Sequence, residues 1–294
     1  MINAVSSRVI EKARRQQNYL RNVEMVSGTA GSLNIELLIS LLESSKVYGW
    51  VQKTELLKTL VERDIKAVLT PARLTRFHLH RGLLELHSHR RVSQVERVLG
   101  FISLNYDDVL DRAYTKYHGD PNYCFTLERN VGSSESVPLL KLHGSFNWSN
   151  RAIRGRRRTI GIIPLGSNKT YIHIPYGFIW SRALEILTEC DTLRVIGCSL
   201  SPNDAHLIDL LFKAHIERAR PFDIEIIAPI SAGESIRSNY GFFPNIKTLL
   251  EIEGSLIPDR SPENPFKTWL KYKSIKMLTR TGIRRATFLK QIAG

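Results

Sequence analysis

The chain has 294 residues, 43% hydrophobic and 24% charged, which suits one large domain or two small ones and excludes wholesale disorder. Its formal charge is +14, from 42 Lys+Arg against 28 Asp+Glu, but residues 151–158 hold five arginines and residues 267–294 eight basic residues, both without an acid, and the rest balances at 29 against 28. That distribution argues against a broad nucleic-acid-binding face and for local partner contacts through one basic loop and one basic tail.

Residues 1–25 read as a polar helix with apolar positions Val5, Val9, Ala13 and Leu20. This start has Arg8, Lys12, Arg14 and Arg15 but no apolar run behind them, so no secretory signal is expected. Asn34 suits the N-cap of a helix over 35–43, a longer helix follows over 53–69, and Pro71 suits the first turn of another. The first third is thus expected to be helical. At 98–104 the period changes to a short apolar run suited to a buried strand. A helix over 107–117 and strands at 139–142 and 160–163 come next. From there the pattern alternates: helix 179–187, strand 193–196, helix 204–219, strand 224–228, helix 232–240 and a weaker strand at 249–252. Strands separated by helices of this length imply βαβ units, hence an α/β, Rossmann-like parallel sheet with helices on both faces. Strands 98–104, 193–196 and 224–228 are expected as parallel neighbours in one sheet. The expected division is a helical arm over 1–30, the α/β domain over 31–255 with a helical insertion at about 34–95, and a basic tail over 256–294. No apolar stretch, 35–42 included, is long enough to span a bilayer. Cys124, Cys190 and Cys198 form no CxxC pair, so neither a disulfide framework nor a cysteine zinc site is expected, and a reducing cytoplasm is the expected setting.

Three loops after predicted strands are polar in a specific way. They carry Ser103-Leu104-Asn105-Tyr106-Asp107, then His143-Gly144-Ser145, then Gly197-Cys198-Ser199-Leu200 followed by Ser201-Pro202-Asn203-Asp204. In a parallel α/β fold such loops leave the carboxyl edge of the sheet, where ligands bind. A glycine there admits close approach of a phosphate, and a helix opening at Pro202 would offer free N–H groups to an anion.

The order and spacing of ISLNYDDVLDRAY, LLKLHGSFNW, the Ile162-Ile163-Pro164 and Ile179-Trp180 stretch, and VIGCSLSPNDAHLIDLL resemble the sirtuin-like NAD-cleaving domains of prokaryotic anti-phage defence systems, over roughly residues 34–253. The resemblance implies an NAD+ glycohydrolase that releases nicotinamide and ADP-ribose, with NAD+ as substrate and no metal. It implies that Asn105 and His143 are required for cleavage, that Asp107 holds the nicotinamide amide, and that Gly197 and Ser199 lie against the ribose and phosphates. The chemistry suits those side chains. Nicotinamide leaves through an oxocarbenium-like state at the ribose C1′, an amide can hold water or the ribose hydroxyls, and an imidazole can accept a proton from one of them. Relatives commonly form homo-oligomers and serve as defence effectors with partner proteins.

Two features depart from the family pattern. Relatives open with a strand and a GAGxS loop around the diphosphate. Here Ser27-Gly28-Thr29-Ala30-Gly31-Ser32 is glycine-rich but lacks a buried strand before it. The expectation is that this strand and loop are missing, and that the 294-residue chain alone cleaves NAD+ weakly or not at all. Ile227-Ala228-Pro229 stands where sirtuins often carry an Asn against the adenosine ribose. A deacylase is disfavoured, since such relatives carry a four-cysteine zinc module.

Simpler roles compete at each position. Asn105 suits a turn or helix cap before Asp107, and His143 a core histidine beside a glycine turn. Asp204, three residues after Ser201, suits a first-turn acid in a cap arrangement. His78, His80, His87 and His89 suggest a metal, but their i, i+2 spacing divides them between helix faces. Trp148 and Trp180 read as core. Two alternative functions remain beside the enzyme: a catalytically impaired nucleotide-binding or scaffold subunit, and a nucleic-acid-binding protein acting through its basic loop and tail.

Overall fold

A computed structural model describes residues 80, 83, 84, 87, 96–126, 137–148, 161–163, 171, 173–198, 200, 204–218, 220–241, 243 and 246–252. The expected arm, most of the helical insertion, the arginine loop and the basic tail lie outside the described residues. Of the predicted helical insertion at about 34–95, His80, Leu83, Leu84 and His87 are described, and all four are helical.

The elements are β1 (Phe101–Ser103), α1 (Val109–His118), β2 (Leu139–Lys141), a one-turn 3-10 helix (Phe146–Trp148), α2 (Tyr176–Glu189), β3 (Thr192–Ile196), α3 (Ala205–Ile216), β4 (Asp223–Pro229), α4 (Ile230–Asn239) and β5 (Ile246–Ile252). The chain is therefore mixed α/β, and among the described residues every strand pairing in a ladder is parallel. The second half forms two successive βαβ units. β3, β4 and β5 lie side by side in chain order, and α4 packs on both β4 and β5. Ile224, Ile226, Ile227 and Ala228 are all buried, so β4 is covered on both faces, as the middle strand of a parallel sheet must be. β5 is longer than its 249–252 apolar core, because pairing with β4 starts at Ile246. The register slips between Ile226 and Ile227, where Thr248 and then Leu250 are the partners, so β5 carries one extra residue there.

The helices follow their apolar spacing. In α2, Ile179, Ala183, Ile186 and Leu187 are buried; in α3, Leu207, Leu210, Leu211 and Ala214. These helices pack on each other, and α2 also packs on β2. Asp204 is itself the N-cap of α3 and accepts from the Leu207 N–H at 3.4 Å, in place of the expected first-turn acid. The helix accordingly begins at Ala205, not at Pro202.

Two strand expectations are corrected. The 98–104 run forms a ladder only over Phe101–Ser103, and its partner is β2. Among the described residues the strands form two hydrogen-bonded groups, β1–β2 and β3–β4–β5, so the expected β1 neighbours are not its ladder partners. The limit is set by β2, whose ladder starts just after Pro138 and ends before the left-handed turn at Gly144 (φ 82°). The Phe101 N–H to Pro138 carbonyl bond (2.8 Å) and the Leu142 N–H to Ser103 carbonyl bond (3.1 Å) close its two ends. The predicted strand at 160–163 is reduced, in its described part, to one antiparallel bridge between Ile162 and Gly144. Its neighbour is a turn, too short to support a ladder.

By its contacts the chain divides into two compact units. One comprises Met1–Thr75, Leu104–Asp107 and His143–His173; the other comprises Arg76–Ser103, Asp108–Leu142 and Ile174–Gly294. The strands and numbered helices belong to the second.

Candidate functional site

Ser103 and Lys141 are register partners at the ends of β1 and β2, and Asn105 and His143 each follow by two residues. Asn105 and His143 both belong to the first unit. Asn105 is exposed, and Asp107 is half-buried. Neither caps α1, whose N-cap is Asp108, so the helix-cap role weighed for Asn105 does not apply. His143 is only 8% exposed.

Tyr106, between Asn105 and Asp107, joins their loop to the histidine turn. Its carbonyl accepts the Phe146 N–H at 2.9 Å and the Ser145 hydroxyl at 3.1 Å. Its ring centroid stands 6.2 Å from that of His143, tilted by 40°, and 5.7 Å from that of Phe146. Its own hydroxyl donates to the Ile163 carbonyl at 3.1 Å. The Ile163 N–H in turn donates to the His143 carbonyl at 2.8 Å. Tyr171 supplies a second ring, 6.3 Å from the imidazole.

Gly144 permits this closure. At φ 82° it turns the chain after His143, and a Cβ built on it would lie 2.3 Å from the Gly161 carbonyl oxygen and 2.9 Å from the Ile162 Cα. Only a residue without a side chain allows the 161–163 segment to approach so closely. Ser145 and Trp148 are fully buried, so Trp148 is the core residue expected from the sequence. The first unit thus holds Asn105, Asp107 and His143 on two loops fastened through Tyr106. An exposed amide and an aromatic-flanked imidazole supply a hydrogen-bonding group and a group able to accept a proton.

The remaining expected residues belong to the second unit. Gly197 is exposed at φ 61°, directly after β3, and its N–H bonds to the Ile227 carbonyl at 3.2 Å. Ser199 lies outside the described residues. Leu200 is also left-handed (φ 42°), an uncommon state for a branched side chain, and its N–H points to the Cys198 sulfur at 3.4 Å. Burial raises the pKa of the Cys198 thiol above the ordinary cysteine value. Tyr240 is buried and its phenol is pushed up to about 12, by burial first and then by Cys198 and Asp204. Trp180 on α2 is half-buried. Its indole N–H donates to the Leu142 carbonyl at 3.0 Å, and its ring meets His206 of α3 edge-on at 6.5 Å. It is a hydrogen-bonded bracket as well as an apolar surface.

Of the four histidines weighed as metal ligands, His80 and His87 are described and His78 and His89 lie outside the described residues. Tyr106 and Tyr171 were not singled out by the sequence. The available signal was that a tyrosine inside a polar motif needs a partner for its hydroxyl when its ring is covered.

Comparison with protein-family models and with curated proteins finds no match to this chain.

Proposed function

We propose that the chain is a sirtuin-like, Rossmann-like domain that cleaves NAD+ to nicotinamide and ADP-ribose. The observation that carries this reading is the fastening of the Asn105–Asp107 loop to the His143 turn through Tyr106. The motif residues come from stretches nearly forty positions apart, and each follows a strand of one parallel pair. In this reading Asn105 holds water or the ribose hydroxyls, His143 accepts a proton as the glycosidic bond breaks, and Asp107 holds the nicotinamide amide. The ribose and phosphates are assigned to Gly197 and Ser199 by the family resemblance alone; a positive-φ glycine such as Gly197 exposes backbone to an anion. The parallel βαβ units support the Rossmann-like part of the proposal. NAD+ is a substrate, and no metal is assigned. A homo-oligomeric defence effector in the cytoplasm, acting with a partner protein, is the setting that the family resemblance implies. Among the described residues no helix is long and apolar enough to cross a membrane.

The test is to incubate the purified protein with NAD+ and follow free nicotinamide, beside the same protein carrying a GAGxS-type strand and loop fused in cis. Release that disappears on Asn105→Ala and on His143→Ala supports the reading. No release from either protein, or release indifferent to both substitutions, overturns it.

One observation favours a second reading, a nucleotide-binding subunit without turnover. His143 is nearly buried, and a proton acceptor must reach its substrate. NAD+ binding by calorimetry without nicotinamide release would establish it.

A further inference from the structure

We propose that Tyr106 is a positioning residue for His143, holding the imidazole in place from both sides of its own chain segment. The proposal rests on the NAD-cleaving reading for its activity measurement and on geometry alone for its structural one.

Tyr106 has two handles. Its carbonyl accepts from Ser145 and Phe146, just after His143. Its hydroxyl bonds the Ile163 carbonyl, and the N–H of that same Ile163 bonds the His143 carbonyl. These bonds make a closed circuit through Tyr106, Ile163, His143, Gly144 and Ser145. The tyrosine ring spans the circuit 6.2 Å from the imidazole. A side chain that only filled space would not need the hydroxyl. Here the hydroxyl ties the 161–163 segment, whose antiparallel bridge at Gly144 includes the Ile163 N–H bond to the His143 carbonyl. Asn105 and Asp107 flank Tyr106 in the chain, so the same residue fixes the loop on which they sit.

Tyr106→Phe keeps the ring and the backbone carbonyl and deletes only the hydroxyl; Tyr106→Leu deletes the ring as well. Two readouts are taken on the full chain: the imidazole resonances of His143, identified by their loss in His143→Gln, and the kcat and KM for nicotinamide release. In Tyr106→Phe the His143 resonances are expected to move, and kcat to fall about tenfold, the equivalent of one lost hydrogen bond in the transition state, with KM held within about twofold. Tyr106→Leu should lose more, so that phenylalanine counts as partial rescue. A purely structural tyrosine would lower the melting temperature of both variants while the folded Phe variant kept its His143 resonances and its kcat; that result overturns the proposal. If neither the unmutated protein nor its form carrying the GAGxS-type strand and loop releases nicotinamide, the NAD-cleaving reading falls by itself. The resonances still decide: displaced in Tyr106→Phe, they uphold the positioning role, and unmoved, they overturn it. If Tyr106→Leu fails to fold, the resonances and kcat of Tyr106→Phe decide alone.

Discussion

The ammonium of Lys141 lies 3.0 Å from the carboxylate of Asp111, and only 1% and 4% of the two side chains are exposed. Lys141 belongs to β2 and Asp111 to the first turn of α1, so the pair locks the helix to the strand that leads to His143. The hydroxyl of Tyr123 donates to the other oxygen of Asp111. Lysine is rarely buried, and it is stable here because its partner is buried with it and hydrogen-bonded a second time.

Breaking this pair should be costly, while removing it whole should cost less. Lys141→Met leaves a buried carboxylate without its cation and should lose about 3–5 kcal/mol of stability. Asp111→Leu combined with Lys141→Met should recover most of that loss, short of the part that leaves the Tyr123 hydroxyl without its acceptor. Urea unfolding of the two single variants and the double variant measures the coupling. Additive losses would show that the pair is not energetically coupled.

Gly144 should tolerate no side chain. Gly144→Ala places a Cβ on top of the Gly161 carbonyl and forces an alanine to φ 82°. Backbone strain alone costs about 1–3 kcal/mol, and relief of the clash would break the bridge to Ile162. The expected result is a lower melting temperature together with faster amide exchange at Ile163, whose N–H holds the His143 carbonyl. Gly119 is a suitable control. It is also left-handed (φ 76°), but nothing lies within 4 Å of its virtual Cβ, so Gly119→Ala should show the effect of strain without a clash.

His118 makes stability depend on pH. It sits in the last turn of α1 with its ring 4.8 Å from that of Tyr114, and burial lowers its pKa from the ordinary value of 6.5. In the interval between the lowered folded value and 6.5, the unfolded chain binds more protons than the folded one, so stability rises with pH there. The contribution is complete above 6.5 and is lost as pH falls through the folded value. Melting temperatures measured between pH 7.5 and pH 5 should therefore fall less steeply for His118→Phe than for the parent chain. Equal slopes would assign the acid sensitivity to other groups.

In the protein carrying the GAGxS-type strand and loop, Asn105→Ala and His143→Ala should each reduce nicotinamide release by at least about a hundredfold, the scale of a lost acid–base or orienting group. Both should stay folded, Asn105 because it is exposed and His143 because neighbouring rings close over a small change. Circular dichroism establishes the folding and a nicotinamide assay the activity. A folded His143→Ala protein with full activity would remove the histidine from the mechanism.

The α/β alternation of the second half was legible because helices and strands print different periods. Ile179, Ala183, Ile186 and Leu187 repeat with the helical period, while Ile224 to Ala228 run apolar but for Glu225, as suits a strand covered on both faces. Asn105 and His143 stood out because polar residues after apolar strands fall where an α/β fold leaves its loops. The extent of pairing was not legible. Seven residues at 98–104 yield three paired ones, because a ladder is as long as its shorter partner, and Pro138 and Gly144 bound β2. Likewise Ile162 meets a turn, so an apolar segment makes one bridge and no strand. Sequence alone could not assign Lys141 to the core, since a lysine between leucines has no mark of its acid 30 residues away. Nor could it show Tyr106 gripping the His143 segment, because its bonds to Ser145 and Ile163 reach 39 and 57 residues along the chain. Local patterns determine which elements form, since they depend on neighbours along the chain. Ion-pair partners, ladder ends and the fastening of one loop to another depend on neighbours in space, and only the tertiary structure decides those.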